Sequence, residues 1–149
     1  MSKVDLSKTL SQFMDSIWNS GNYDRVADYV SNAYTIRDDP GDPWNGKTLD
    51  HQNFIQRVQY SRNAFPDFNF DIQEVIEGEE KVAARWVMSG THRGDLPMIP
   101  ATGKPFRISG MTFYYFSNGK VSGHKQCFDQ LGFIQQINAF ETLFKNLSQ

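Results

Sequence analysis

The chain has a single cysteine, Cys127, no run of basic residues and no long apolar stretch. One cysteine cannot close an internal disulfide. A formal net charge of −2 without a basic cluster supplies no electrostatic footprint for nucleic acid. A membrane helix needs about 18 or more consecutive apolar residues, and none occurs. The N-terminal MSKVDLSKTLSQF lacks the apolar core of a signal peptide. His51, His92, His124 and Cys127 stand at no zinc-binding spacing, and the acidic DDPGD at 38–42 lacks the spaced ligands and closing Glu of a calcium loop. The expectation is a cytoplasmic protein with no metal, no nucleic-acid partner and no membrane anchor.

What is present reads as one globular domain over residues 1–149. The hydrophobic and charged fractions, 39% and 21%, are those of a folded protein rather than a disordered one. A chain of this length buries roughly two-thirds of its unfolded surface and needs no covalent staples. Aromatics reach 14%, which suits strands and the walls of an apolar cavity.

The first third carries helical spacing. Leu6, Leu10, Phe13, Met14, Ile17 and Trp18 recur every three or four residues, and Gly21 ends the run as a left-handed cap. NYDRVADYVS reads as a second, shorter helix with Val26, Tyr29 and Val30 inward. YTIRDDPGDPWNGKT (34–48) has two prolines, two glycines and three aspartates, a loop long enough to be functional. Thr48 caps a third helix whose apolar face is His51, Phe54, Ile55 and Val58, and Pro66 ends it. Beyond Pro66 the period changes from 3.6 to 2. Phe68, Phe70 and Ile72 alternate. Val82, Ala84, Trp86, Met88 and His92 share one parity of the next strand. RGDLPMIPATGKP (93–105) is a loop, FRISGMTFYYF is a long strand, and the Asn-Gly of SNGK closes a tight hairpin onto VSGHKQCF. A helix then runs from Leu131 to about Leu147 with a break near Asn138. Three helices, about four hairpin-linked strands and a closing helix, without βαβ alternation, predict an α+β domain with a curved, mostly antiparallel sheet covered by the N-terminal helices.

Four stretches carry a family resemblance: FPDFNFDIQEVI (65–76), KVAARWVMSGTHRG (81–94), IPATGKPFRISGMTFYYFSNGKV (99–121) and FDQLGFIQQI (128–137). Together, over residues 5–138, they resemble the SnoaL-like polyketide cyclases of the nuclear transport factor 2-like superfamily. The resemblance implies a cone-shaped α+β barrel, a homodimer or higher assembly, and ring closure by intramolecular aldol condensation without metal or cofactor. It implies an acid/base aspartate near the end of the last strand, which matches Asp129, and a pocket histidine, which matches His92. Many members carry an aromatic four residues before that aspartate. Here the place is held by Lys125, which would pair with Asp129 if it pointed inward.

The residues themselves leave two readings of Asp129 open. Aspartate is a preferred helix N-cap, and LGFIQQI follows directly. A carboxylate that instead faces an apolar pocket can be tuned to take a proton from carbon next to a carbonyl, as in ketosteroid isomerase. His124 lies opposite in parity to Asp129 and reads as structural or interfacial. His51 reads as a packing residue and Cys127 as a small apolar filler. Trp86 and Met88 lie on the apolar parity. Phe54 sits on the helix that roofs the cavity, and Trp44 in the long loop is a candidate lid. Tyr114 and Tyr115 point to opposite faces, so one of them supplies a donor. The expected lining is therefore Trp86, Met88, Phe54, Trp44, Tyr114 and Lys125, around a small apolar ligand. Three functions are compatible: a cyclase or isomerase using Asp129 and His92 on a carbonyl compound, a binding module that holds a hydrophobic ligand without turning it over, and an epoxide hydrolase. The last typically activates water with an Asp–Arg–Asp arrangement. Arg85 and Arg107 are off the apolar parity, which ranks it third.

Overall fold

The computed structural model describes residues 3–149. Helix α1 (Leu6–Phe13) starts at Asp5, whose carboxylate accepts from the Lys8 amide at 2.9 Å. It runs on into a wider π-turn over Met14–Asn19. Leu10, Phe13, Met14, Ile17 and Trp18 are all buried, as their spacing predicts. A 3-10 turn (Tyr23–Arg25) and a four-residue helix α2 (Val26–Tyr29) follow.

The helix predicted through Ser31 stops two residues sooner, at Tyr29, and the loop predicted from Tyr34 is in part a strand. β1 spans Val30–Asp38 and buries Val30, Tyr34 and Ile36. Its pairing partners lie far away in sequence, on β2 (Thr48–Leu49) and on β6 (Lys120–Phe128). No local turn residue marks this helix-to-strand change. Helix α3 (His51–Ala64) is capped by Asp50, not Thr48; the Asp50 carboxylate accepts from the Asn53 amide at 2.8 Å. Thr48 belongs to β2.

The remaining strands are β3 (Asn69–Glu77), β4 (Lys81–Thr91) and β5 (Pro105–Ser117), joined to β6 as antiparallel hairpins. The Asn118-Gly119 turn between β5 and β6 has both residues at positive φ, 51° and 74°, the geometry that favours this dipeptide. The sheet order is β2-β1-β6-β5-β4-β3, antiparallel except for β1 against β6. Bulges between Ile72 and Glu74 and between Tyr115 and Phe116 add bend to a naturally twisted sheet. The C-terminal helix is two, α4 (Gln130–Gln136) and α5 (Phe140–Leu147), broken at Asn138 with φ 57°.

The result is the expected α+β cone: a curved six-stranded open sheet with helices on its concave side. No helix among the described residues is long and apolar enough to cross a membrane. Strand register decides which side chains face inward. Trp86 pairs with Gly110, and Gly110 with Phe128. A Cβ at Gly110 would collide with the Trp86 ring and with Phe128, so only glycine lets these two large side chains meet on the concave face. The alternate positions Met111, Phe113, Lys125 and Cys127 are exposed on the convex face.

Candidate active site

The concave face and the helices enclose a cavity of about 360 Å³. That is within the range of about 300–1,000 Å³ common for small-molecule sites. Its walls are aromatic and aliphatic: Trp18, Phe65, Phe68, Phe70, Trp86 and Met88 among them. The mouth carries Trp44, edge-on to Tyr60 with ring centroids 5.4 Å apart, and Leu96, Pro97 and Ile99 of the 93–104 loop.

Six polar residues of the lining, Tyr34, Asp39, Asp42, Arg57, His124 and Gln126, form one network. Asp39, just past the end of β1, is its centre and is 2% exposed. His124 Nε2 lies 2.9 Å from Asp39 Oδ2, and the Gln126 side-chain amide donates to the same oxygen at 3.3 Å. The Tyr34 hydroxyl meets His124 Nδ1 at 2.6 Å. Arg57, from the inward side of α3, donates through Nε to Asp42 Oδ2 at 2.6 Å, and its Nη2 stands 3.9 Å from Asp39 Oδ2. The second of these is an ion pair without a hydrogen bond. Arg57 also lies over the Trp18 ring, 5.1 Å from its centroid. Asp42 is held in turn by the Trp44 amide, which donates to Oδ1 at 2.8 Å.

Electrostatics fix the protonation pattern. Burial pushes the Tyr34 hydroxyl far above its ordinary value, so it keeps its proton and donates to His124. Burial likewise lowers His124, against the opposing pull of Asp39, and favours the neutral imidazole. Its Nδ1 accepts from Tyr34 and its Nε2–H donates to Asp39. For Arg57 burial is the largest influence and opposes the charge, but the facing Asp42, Tyr34 and Asp39 outweigh it and raise the guanidinium. Burial pushes Tyr114, on the cavity wall, up to about 12.

Two sets of valences stay open. Asp39 Oδ1 accepts no hydrogen bond among the described residues, all its donors being on Oδ2. Among the described residues the terminal nitrogens of Arg57 donate no hydrogen bond, Nη2 making only the 3.9 Å ion pair with Asp39. Both residues line the cavity. The floor thus offers a carboxylate oxygen whose other oxygen is anchored, beside a cation with N–H groups to spare. That pairing can take a proton and hold the negative charge that results.

The sequence-derived site residues divide. Trp86, Met88, Trp44 and Tyr114 line the cavity. Phe54 is fully buried one layer behind, edge-on to Tyr34 with centroids 4.8 Å apart. Asp129 is exposed and caps α4, its Oδ1 accepting from the Gly132 amide at 2.8 Å. It shares the outward parity of Cys127 and Lys125, so neither it nor Lys125 faces the cavity. Cys127 is exposed rather than a core filler. His92 is buried against Phe65, a wall residue, rather than in the lining itself, with Nδ1 accepting from the Thr102 amide at 3.3 Å and Nε2 without a partner among the described residues. His124, read as structural, is instead at the polar centre. His51 bonds the Val30 carbonyl at 2.7 Å, a packing role as expected. The residues missed are Asp39, Asp42, Arg57 and Gln126. The one signal for any of them is the set His124, Gln126, Phe128, the inward parity of β6, which ends in an aromatic and points to Gln126; it carries nothing on Asp39, Asp42 or Arg57. Among the described residues no three His, Cys, Asp or Glu side chains gather as a metal site.

The two buried histidines give a pH signature. Burial lowers both His92 and His124. The unfolded chain protonates them near pH 6.5. Below that point the unfolded state binds more protons, so stability falls with pH by up to about 1.4 kcal/mol per pH unit per histidine until the folded histidines protonate too. Above it the histidines contribute no slope. Urea midpoints should fall between about pH 7 and about pH 5.5; a constant midpoint would contradict the assignment.

The same architecture recurs in known proteins. A chain from Acidithiobacillus ferrooxidans assigned to the polyketide cyclases is 40% identical, with TM-score 0.83 over 93% of this chain and 98% of its own. IdmH from Streptomyces antibioticus, at 22% identity, shares the fold with TM-score 0.75 over 90% of this chain and 99% of its own. The aklanonic acid methyl ester cyclase of Streptomyces peucetius is 29% identical over 128 residues, 83% of this chain and 85% of that protein. The sequence profile of the SnoaL-like polyketide cyclases matches residues 8–137, from within α1 through the whole of α4, and the chain belongs to that family.

Proposed function

We propose that the protein is a cyclase or isomerase that closes or rearranges a carbonyl compound by acid/base chemistry at Asp39. The observation that carries this is Asp39 Oδ1, which accepts no hydrogen bond among the described residues, in a cavity with aromatic and aliphatic walls and beside the terminal N–H groups of Arg57. Asp39 Oδ1 takes a proton from carbon between or beside carbonyl groups. Arg57 receives the enolate oxygen. The enolate carbon then attacks a second carbonyl carbon in the same molecule, and the new alkoxide takes the proton back from Asp39. The product is an isomer of the substrate. His124, backed by Tyr34, holds Asp39 in place and stays neutral through the cycle. An aromatic, roughly planar body suits the walls. The similarity to the aklanonic acid methyl ester cyclase supports a polyketide-type ester as substrate.

A second reading has its own support. Asp39 and Asp42 bracket Arg57, an Asp–Arg–Asp arrangement of the kind that activates water in epoxide hydrolases of this superfamily. Mass spectrometry separates the two. Ring closure of a linear aromatic diketo-ester leaves its mass unchanged, whereas opening an epoxide adds one water. Turnover of the epoxide without turnover of the diketo-ester would overturn the first reading. Tight binding without turnover of either would point to a ligand-binding module.

The family resemblance also supports a homodimer, and the convex face of the sheet is its proposed seat. Met111, Phe113 and Ile76 are 64%, 52% and 72% exposed there, at outward positions where a solvated antiparallel sheet carries polar side chains. Light scattering should give twice the chain mass, and Phe113→Asp should halve it. A monomeric wild type would refute this.

A further inference from the structure

We propose that Thr112 is a positioning residue that turns the Gln126 side chain into a donor aimed at the cavity, an inference that rests on the acid/base reading of Asp39. The Trp86 indole nitrogen can only donate, and it lies 2.8 Å from Thr112 Oγ1. Thr112 therefore accepts from Trp86 and spends its own proton on Gln126 Oε1, 2.9 Å away. With its oxygen turned to β5, the Gln126 amide presents Nε2 to Asp39 at 3.3 Å. An amide nitrogen carries two protons. One goes to Asp39; the other has no partner among the described residues, and Gln126 lines the cavity. The reverse amide orientation would set Gln126 Oε1 against the Asp39 carboxylate, acceptor facing acceptor.

Two chains of hydrogen bonds thus converge on one oxygen of Asp39. Tyr34 and His124 reach it from β1 and β6. Trp86 and Thr112 reach it through Gln126 from β4 and β5. Thr112 is 2% exposed and touches the reaction only through Gln126. The remaining N–H of Gln126 belongs to a cavity that Arg57 also lines, and is a further donor to an oxygen that gains charge.

The test is a double-mutant cycle of Thr112→Val with Gln126→Leu, with Thr112→Ser as rescue. Valine matches threonine in shape and suits a strand but leaves the Trp86 indole N–H unpaired, so some loss of stability is expected and a thermal melt verifies that the variant is folded at the assay temperature. The expected loss in kcat for Thr112→Val is about tenfold at unchanged KM, smaller than the roughly 10²–10³-fold of deleting an oxyanion donor outright. Serine should restore the rate. In the Gln126→Leu background the same substitution should have no further effect. Affinity for 2-naphthol, whose phenolic oxygen imitates an enol, supplies a readout independent of turnover. It should fall about tenfold in Thr112→Val and stay unchanged between Gln126→Leu and the double variant. If no carbonyl compound is turned over but the naphthol cycle behaves so, the positioning role stands and the cyclase reading falls. Wild-type rates and affinity in Thr112→Val, an equal loss in the Gln126→Leu background, or a wild type that neither reacts nor binds naphthol would overturn the proposal.

Discussion

Asp39→Asn should lower kcat by about 10²–10⁴-fold, the range for loss of a positioned general base, with little change in KM or melting temperature. Asparagine keeps the volume of the side chain. Its oxygen can still accept from His124 and from Gln126, which hold Asp39 Oδ2 at 2.9 and 3.3 Å. Its amide nitrogen then occupies the place of Oδ1 and cannot take a proton from carbon. Binding is spared because the walls are apolar and unaltered. A loss in KM with kcat intact would instead mark Asp39 as a binding group only.

Arg57→Leu should be the most destabilising single change at the site, by about 3 kcal/mol in urea unfolding. Breaking a buried ion pair from one side costs about 3–5 kcal/mol, since it strands the partner charge. The lower end applies because the two aspartates do not lose equally. Asp42 gives up a hydrogen bond at 2.6 Å and keeps only the Trp44 amide. Asp39 gives up a contact at 3.9 Å and keeps His124 and Gln126. Adding Asp42→Asn to Arg57→Leu should therefore recover part of the loss. A double variant less stable than Arg57→Leu would rule out this account of Arg57.

The hairpins were legible because β3 to β6 keep their alternation and their turns carry strong local chemistry, Asn118-Gly119 above all. β1 was not, because its inward set Val30, Tyr34 and Ile36 is interrupted by polar residues and is completed only by the distant β6. That single omission hid the site. Asp39 looked like one more loop aspartate, and Arg57 like the polar face of a helix. The aromatic walls could be read from parity, since Trp86, Met88 and Tyr114 follow their strands. The choice of Asp39 over Asp129 as the proposed acid/base residue could not. Asp129 and Asp39 are both aspartates at the end of a strand, and only the register of β6 against β5 sends His124 and Gln126 inward and Cys127 outward.

The central claim, that Asp39 removes a carbon-bound proton in this cavity, is tested most directly by proton NMR in heavy water. The quantity is the rate of deuterium uptake at the carbon between the carbonyls of an aromatic 1,3-diketone, with wild type, Asp39→Asn and Asp129→Asn compared. The account predicts rapid uptake with wild type and with Asp129→Asn, and only the buffer rate with Asp39→Asn. Uptake at the wild-type rate in Asp39→Asn, or its loss in Asp129→Asn, would contradict it.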